Sequence, residues 1–214
     1  MAIAREFVFR NKFKAVAGAL RSARGTLLDV GARDRGLATH LDARHLSYFS
    51  ADVGEGHDLQ IDLERPLDVP DARFDHVVAL DVLEHVENIH GAFHELARIA
   101  RVGVVIALPN MATLSRRLRF ALTGRLGTDK YDLLTDHQGD RHRWLTTHRQ
   151  VDAFILANAQ KAGLRVEKII EEMDGHAAGR LVGYGLTRLH LIPAGWVSGR
   201  SIFFMTHAGR ETRG

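Results

Sequence analysis

Five short apolar runs restrict most strongly how this chain can fold. They are TLLDV (26–30), LSYFSADV (46–53), DLQI (58–61), FDHVVAL (74–80) and VGVVIALP (102–109), each stopping at an acid, a glycine or a proline. Near-continuous Val, Ile and Leu suit strands covered on both faces, as in a parallel sheet between helical layers. Between the last two runs, NIHGAFHELARIAR (88–101) places Ile89, Phe93, Leu96 and Ile99 or Ala100 on one helical face. The first run leads into GLATHL (36–41), which opens a helix. The second and third runs lie too close for a helical crossover, so one crossover shortens to a loop.

Beyond Pro109 the pattern loosens. MATLSRRLRFALTGR (111–125) has the spacing of a basic amphipathic helix, and LGTDKYDLLTDHQGDRHRW (126–144) is polar and irregular. Thr147 and Gln150 then stand at capping-box spacing ahead of a helix, with Gly163 as its stop. RVEKII (165–170) and RSIFFMTHA (200–208) read as a sixth and a seventh strand, and the segment between them fits either helix or strand. At the N-terminus Phe9, Phe13, Val16 and Leu20 share a helical face, with Arg10, Lys12, Lys14 and Arg21 largely off it. A transit peptide or a membrane-surface helix has the same look. A first helix packed on the sheet is the preferred reading.

A chain of 214 residues, 45% apolar, holds one sizeable core, so residues 1–214 are expected to form a single domain with 111–145 as a helix–loop insertion. The absence of cysteine excludes disulfides, thiolate metal sites and a cysteine nucleophile. With 29 basic against 26 acidic side chains, and scattered aromatics, nothing argues for a nucleic-acid partner. No apolar run reaches membrane-spanning length, and a cytoplasmic location is expected.

The strand-to-turn stretch Gly31-Ala32-Arg33-Asp34-Arg35-Gly36 invites a nucleotide. A dinucleotide fingerprint needs a glycine where Arg33 stands, so that backbone can approach a pyrophosphate, and Asp34 adds negative charge near the phosphates. A P-loop lacks its G-K-[ST]. A cofactor without phosphates fits better. S-adenosyl-methionine carries a sulfonium, an amino-acid tail, a ribose and an adenine. Acids stand beside successive strand ends to meet them: Asp29 with Gly31, then Asp52, Asp62 and Asp81. In an open parallel sheet those ends form the ligand crevice, and Asp52 lies about 20 residues past the turn, where an acid can accept ribose hydroxyls.

LLDVGARDRGL, YFSADV, DLERPLDVPDARFDHVVALDVLEHVEN and VVIALPN, in that order, resemble the motifs of class I S-adenosyl-methionine-dependent methyltransferases. The closest likeness is to the bacterial small-molecule group with FDxVxxxxVLEHV after the fourth strand. The resemblance spans roughly residues 24–170. It implies a Rossmann-like three-layer α/β sandwich with a mostly parallel seven-stranded sheet whose last strand is antiparallel. It further implies that Gly31 faces the amino-acid end of the cofactor, Asp52 binds ribose, Asp62 and Leu63 lie near adenine, and Leu80 and Asp81 line the methionine side. Arg33 and Arg35 depart from the family's glycines. Arg33 either reaches the cofactor carboxylate or obstructs the site.

Methyl transfer asks the protein to position a nucleophile and exclude water, with a general base when the acceptor is a hydroxyl or an amine. His85, following the fourth strand into the crevice, is the candidate base. Glu84 reads as a structural or capping group. In DHQGDRHRW, Asp136, His137, Asp140 and His142 have no recognisable metal-ligand spacing, so no metal is expected, and the loop is expected to close over the acceptor with His142 or Arg143 touching it. Arg116, Arg117, Arg119 and Arg125 suit a phosphate, a carboxylate or an anionic membrane. The chain is therefore expected to methylate a small molecule, a sugar or a lipid-linked metabolite, first at oxygen. The alternatives are an inactive cofactor-binding or interaction protein of the same fold and, more weakly, an NAD-dependent oxidoreductase.

Overall fold

The computed structural model describes residues 3–9, 11–133, 140–175 and 177–209. Its strands are β1 (Ala4–Val8), β2 (Gly25–Val30), β3 (Leu46–Asp52), β4 (Leu59–Gln60), β5 (Phe74–Leu80), β6 (Ala100–Pro109), β7 (Leu164–Met173) and β8 (Ser198–His207). Its α-helices are α1 (Lys12–Ala19), α2 (Ile89–Ile99), α3 (Leu114–Thr123), α4 (His148–Lys161) and α5 (Ala177–Arg188). One sheet runs β1-β7-β8-β6-β5-β2-β3-β4. Every pairing is parallel except those of β8 with β6 and β7. The carboxyl ends of β1 to β7 therefore share one edge, joined there by the start of β8.

All seven residues of β5 are buried, which is why its sequence does not alternate. One face of the sheet packs Phe93, Leu96 and Ile155 of α2 and α4 against Val77, Ala79 and Phe203. The other packs Ala15, Val16 and Leu20 of α1 against Val78, Leu80 and Ile202. Each large side chain buried here contributes about 1.5–3 kcal/mol. The helix predicted after Thr147 forms with its capping box complete, and Gly163 stops it at φ +68°.

The sheet carries the expected seven strands, the last of them antiparallel, and one more. The extra strand is β1, in a region read from sequence as helix. Arg5 anchors it between Asp152 and Glu171 of α4 and β7. Helix α1 starts only at Lys12, where the Asn11 side chain accepts from the Lys14 amide. Val16 and Leu20 keep their expected core positions, but Phe9 lies outside the helix and is exposed.

A second correction concerns GLATHL. Only a single 3₁₀ turn, Ala38–His40, follows β2. Left-handed backbone at Gly31, Arg33 and Arg35 (φ 72°, 46° and 57°) curls the chain before a helix can propagate. Asp34 reinforces the curl by accepting from the Gly36 amide. The β2–β3 crossover is thus a loop with one 3₁₀ turn.

Candidate active site

The cleft begins at the end of β2. The Gly31 and Ala32 amides both donate to the Ala51 carbonyl, at 2.8 and 3.1 Å, tying the turn to β3. Gly31 has φ +72°, and a Cβ there would collide with Val82. Glycine is required by both conformation and space.

Two adjacent hollows of about 300 Å³ each open along the carboxyl edge. Each is at the lower end of small-ligand sites. Gly31, Arg33, Asp81, His85 and Asp140 line both. The first hollow lies over β2–β4. Val53, Ile61, Leu63, Val82 and Val86 give it apolar walls, with Asp52 and Asp62 beside them. Asp52 accepts from the amides of Arg33 (3.1 Å) and Val53 (2.7 Å), and Asp62 accepts from the Glu64 amide (3.0 Å). An apolar slot with carboxylates beside it suits an adenosine, whose base is flat and whose ribose presents hydroxyl donors.

The second hollow lies towards β6 and β8 and is strongly charged. Asp29 is buried and accepts from the Tyr48 hydroxyl at 2.8 Å. Burial nevertheless pushes its carboxyl up to about 6. Asp81, at φ 60°, meets Lys12 at 2.7 Å and Arg200 at 2.6 Å. Burial works to raise the Asp81 carboxyl, but Arg200 and Lys12 outweigh it and hold the group below the usual range. Asp81 therefore faces both hollows as an already neutralised ion-pair centre.

The two arginines of the turn do not fill the hollows. Arg33 spans the mouth to Asp140 at 2.8 Å, and Lys130 meets the same carboxylate. Burial of Asp140 is overcome by Lys130 and Arg33, which hold it down at about 2. Arg35 turns away, donating to Ser50 Oγ (3.2 Å) and the Gly56 carbonyl (2.6 Å). Arg33 is thus a strap across the cleft.

His85 and His142 stand edge to face with ring centroids 4.6 Å apart. His85 Nδ1 lies 2.9 Å from the Arg141 carbonyl, which can only accept, so Nδ1 carries the proton and Nε2 keeps its lone pair. The Tyr131 hydroxyl donates to the Trp144 carbonyl at 2.7 Å, so at 2.9 Å it accepts from His142 Nδ1. His142 Nε2 is likewise a free acceptor. Burial, then the neighbouring His85 and Lys130, lower His142 to about 4, and burial lowers His85 as well. Two neutral imidazoles thus line the second hollow.

Glu84, read from sequence as a structural or capping group, lies beneath His142. It is fully buried, and neither carboxyl oxygen has a hydrogen-bond partner. Burial, then the charge of Asp81, pushes it up to about 8, so it is a neutral acid at pH 7. Its Oε1 lies 3.9 Å from His142 Nε2. Glu84, His85 and His142 offer ligand atoms within 4.8 Å of one another, a donor set that suits a divalent ion. His148, Asp152 and Glu171 also converge, but Arg5 already pairs with both acids. Arg143 points elsewhere, to Glu87 at 3.4 Å. Asp136 and His137 lie outside the described residues.

No curated protein matches the chain at a significant level. The family described as Methyltransferase domain matches residues 4–167. Among solved structures, magnesium protoporphyrin IX methyltransferase from Synechocystis, with bound SAH, superposes with TM-score 0.57 at 14% identity, over 92% of this chain and 82% of that one. A SAM-dependent methyltransferase from Archaeoglobus fulgidus gives 0.55 at 16%, over 92% and 96%. The carbon methyltransferase CurJ gives 0.53 at 17%, over 92% of this chain and 54% of that one. At such identities the likeness is one of fold. The family match covers most of the chain, and an apolar hollow bordered by carboxylates at the strand ends is in keeping with it. The chain belongs to the methyltransferase-domain family and is an S-adenosyl-methionine-dependent methyltransferase.

Proposed function

We propose that this enzyme methylates an oxygen of a small-molecule, sugar or lipid-linked acceptor held in the hollow between β6, β8 and residues 111–145. Residues 1–214 act as one catalytic domain, working in the cytoplasm. The observation that carries the reading is the pair of neutral imidazoles, His85 and His142, lining a hollow that shares five wall residues with the proposed adenosine slot.

In this reading Asp52 binds ribose, Asp62 and Leu63 flank adenine, and Gly31 lets the backbone approach the amino-acid tail. Asp29 and Leu80 line the methionine side. Asp81, neutralised by Lys12 and Arg200, orients that wall. Arg33 closes the mouth through Asp140. S-adenosyl-methionine supplies a methyl carbon already activated by its sulfonium sulfur. The protein then has to align the acceptor and manage one proton. His142 Nε2 would accept the hydroxyl proton as the acceptor oxygen took the methyl carbon and the methyl–sulfur bond broke, its electron pair passing to the sulfonium sulfur to leave S-adenosyl-homocysteine. Glu84, being neutral, would place no charge beside the imidazole. His85 orders the acceptor beside it. The arginines of α3 suit an anionic group on the acceptor or on a surface that presents it.

Calorimetry with S-adenosyl-methionine, followed by S-adenosyl-homocysteine release across a panel of phenols, sugars and lipid-linked alcohols, tests this. Cofactor binding with release on one acceptor class is expected. Binding without release on any acceptor supports the inactive alternative, which draws on the occupied charges of Asp81 and Arg33. Heat with NAD and none with S-adenosyl-methionine would sink both.

A further inference from the structure

Large exposed apolar side chains are unevenly placed on this enzyme. Among the described residues there are 16, and 14 lie on stretches that border the carboxyl edge of the sheet. Only Ile3 and Leu156 do not. The densest group sits on α3, which buries none of its residues. Leu114, Leu118 and Leu122 recur every fourth residue along it, exposed by 40%, 56% and 84%. Helix α5 and the chain after it repeat the pattern with Leu181, Val182, Leu189 and Leu191, all more than 60% exposed. The roots of the two helices meet at Asp174, which accepts from Thr113 at 3.2 Å and stands 3.8 Å from Arg116. Arg116 also lines the acceptor hollow, so this apolar surface begins at the mouth of the site.

The charge on these helices has one sign. Neither α3 nor α5 contains an acidic residue. Arg117, Arg119, Arg180 and Arg188 meet no carboxylate among the described residues. Arg117 and Arg180 donate instead to backbone carbonyls, at 2.7 Å to Ala112 and 3.0 Å to Phe9. An isologous contact with a second copy would set these cations against one another. Trp144 and Trp196, 40% and 38% exposed, lie on the same edge. Apolar side chains alternating with unpaired arginines and flanked by indoles complement an anionic lipid surface, where leucines enter the acyl boundary and guanidinium groups meet headgroup phosphates. No described helix is long and apolar enough to cross a membrane, so the contact is peripheral.

We propose that α3 and α5 dock the enzyme onto an anionic lipid bilayer with its acceptor hollow facing the membrane, so that the acceptor is drawn from the bilayer surface. This rests on the hollow lined by Met111, Arg116, Lys130 and His142 being the acceptor site.

The test is co-sedimentation with vesicles of phosphatidylcholine alone or of phosphatidylcholine with phosphatidylglycerol, at low and high salt. Partitioning onto the anionic vesicles is expected to exceed the neutral ones roughly ten-fold or more and to fall with salt. Arg117→Glu and Arg119→Glu should each lower it by roughly five-fold. Leu118→Ser with Leu122→Ser should weaken it on both vesicle types. None of these residues lines the hollows, so S-adenosyl-methionine affinity should be unchanged and serves as the folding control. Equal partitioning onto both vesicles, no partitioning by protein that still binds the cofactor, or indifference to the arginine reversals would overturn the proposal. So would a dimer in sedimentation equilibrium that Leu122→Ser splits, because a second copy would then own the face. Loss of cofactor binding by the parent protein would instead count against the proposed function.

Discussion

The two halves of the carboxyl edge are built differently. The half over β2–β4 is made of strand ends and tight turns. Its acids, Asp52 and Asp62, sit at a strand terminus or two residues past one, and backbone amides hold them, as Arg33 and Val53 hold Asp52. The half over β6–β8 is assembled from side chains far apart in sequence. His85 is oriented by Arg141, His142 by Tyr131, and Asp81 by Lys12 and Arg200. Backbone-built sites depend on local sequence. Side-chain-built sites depend on how distant segments pack, and there buried charge and unusual protonation accumulate.

Substitutions should separate the halves. The largest effect is expected at His142→Ala, which removes the proposed base. Turnover should fall roughly 10²–10⁴-fold while calorimetric affinity for S-adenosyl-methionine stays near the parent value. A comparable loss of cofactor affinity would merge the two halves into one unit. Asp52→Ala should do the reverse. Cofactor affinity should weaken roughly ten-fold or more, on the scale of hydrogen bonds to a charged group. Unchanged affinity would remove Asp52 from the site.

Stability against pH sharpens the contrast next. Glu84 is raised to about 8 in the fold against an ordinary 4.5, so between those values the folded chain binds more protons than the unfolded one. Its burial therefore costs stability increasingly as pH rises from about 4.5 to about 8. Urea titrations should show Glu84→Gln gaining on the parent, on the order of 1–3 kcal/mol at pH 8, with the gain fading towards pH 4. A pH-independent difference would mean that Glu84 ionises freely. The smallest effect belongs to α3. Leu122→Ser should shift folding stability by less than about 0.5 kcal/mol, since this side chain is 84% exposed. A larger loss in the same titration would show that α3 packs against something in solution.

Legibility in sequence follows the same division. FDHVVAL (74–80) coincides with β5, because a strand buried on both faces is mostly apolar, here with Asp75 and His76 as buried polar exceptions near its start. The capping box at Thr147 and Gln150 formed as spaced, because a cap is a contact across three residues. Asp29, Gly31, Asp52 and Asp62 border the hollows, as strand-end placement required, and so does Leu63, which the family resemblance implied. The protonation of Glu84 is not legible in sequence, because its neighbours along the chain do not reveal that both carboxyl oxygens are buried without partners. Strand β1 was missed because its stability comes from pairing with β7 and from the Arg5 contacts with Asp152 and Glu171, more than 140 residues away.

By itself the sequence determined the layered sheet, the glycine turn and the row of acids, since each follows from alternation, backbone conformation or spacing over a few residues. Only the tertiary structure decided that Arg33 straps the cleft instead of filling it, that Asp81 is neutralised, that Glu84 is protonated and that α3 is left uncovered. Charge state and exposure depend on which distant atoms exclude water or supply an opposite charge, and that information enters only when the chain is packed.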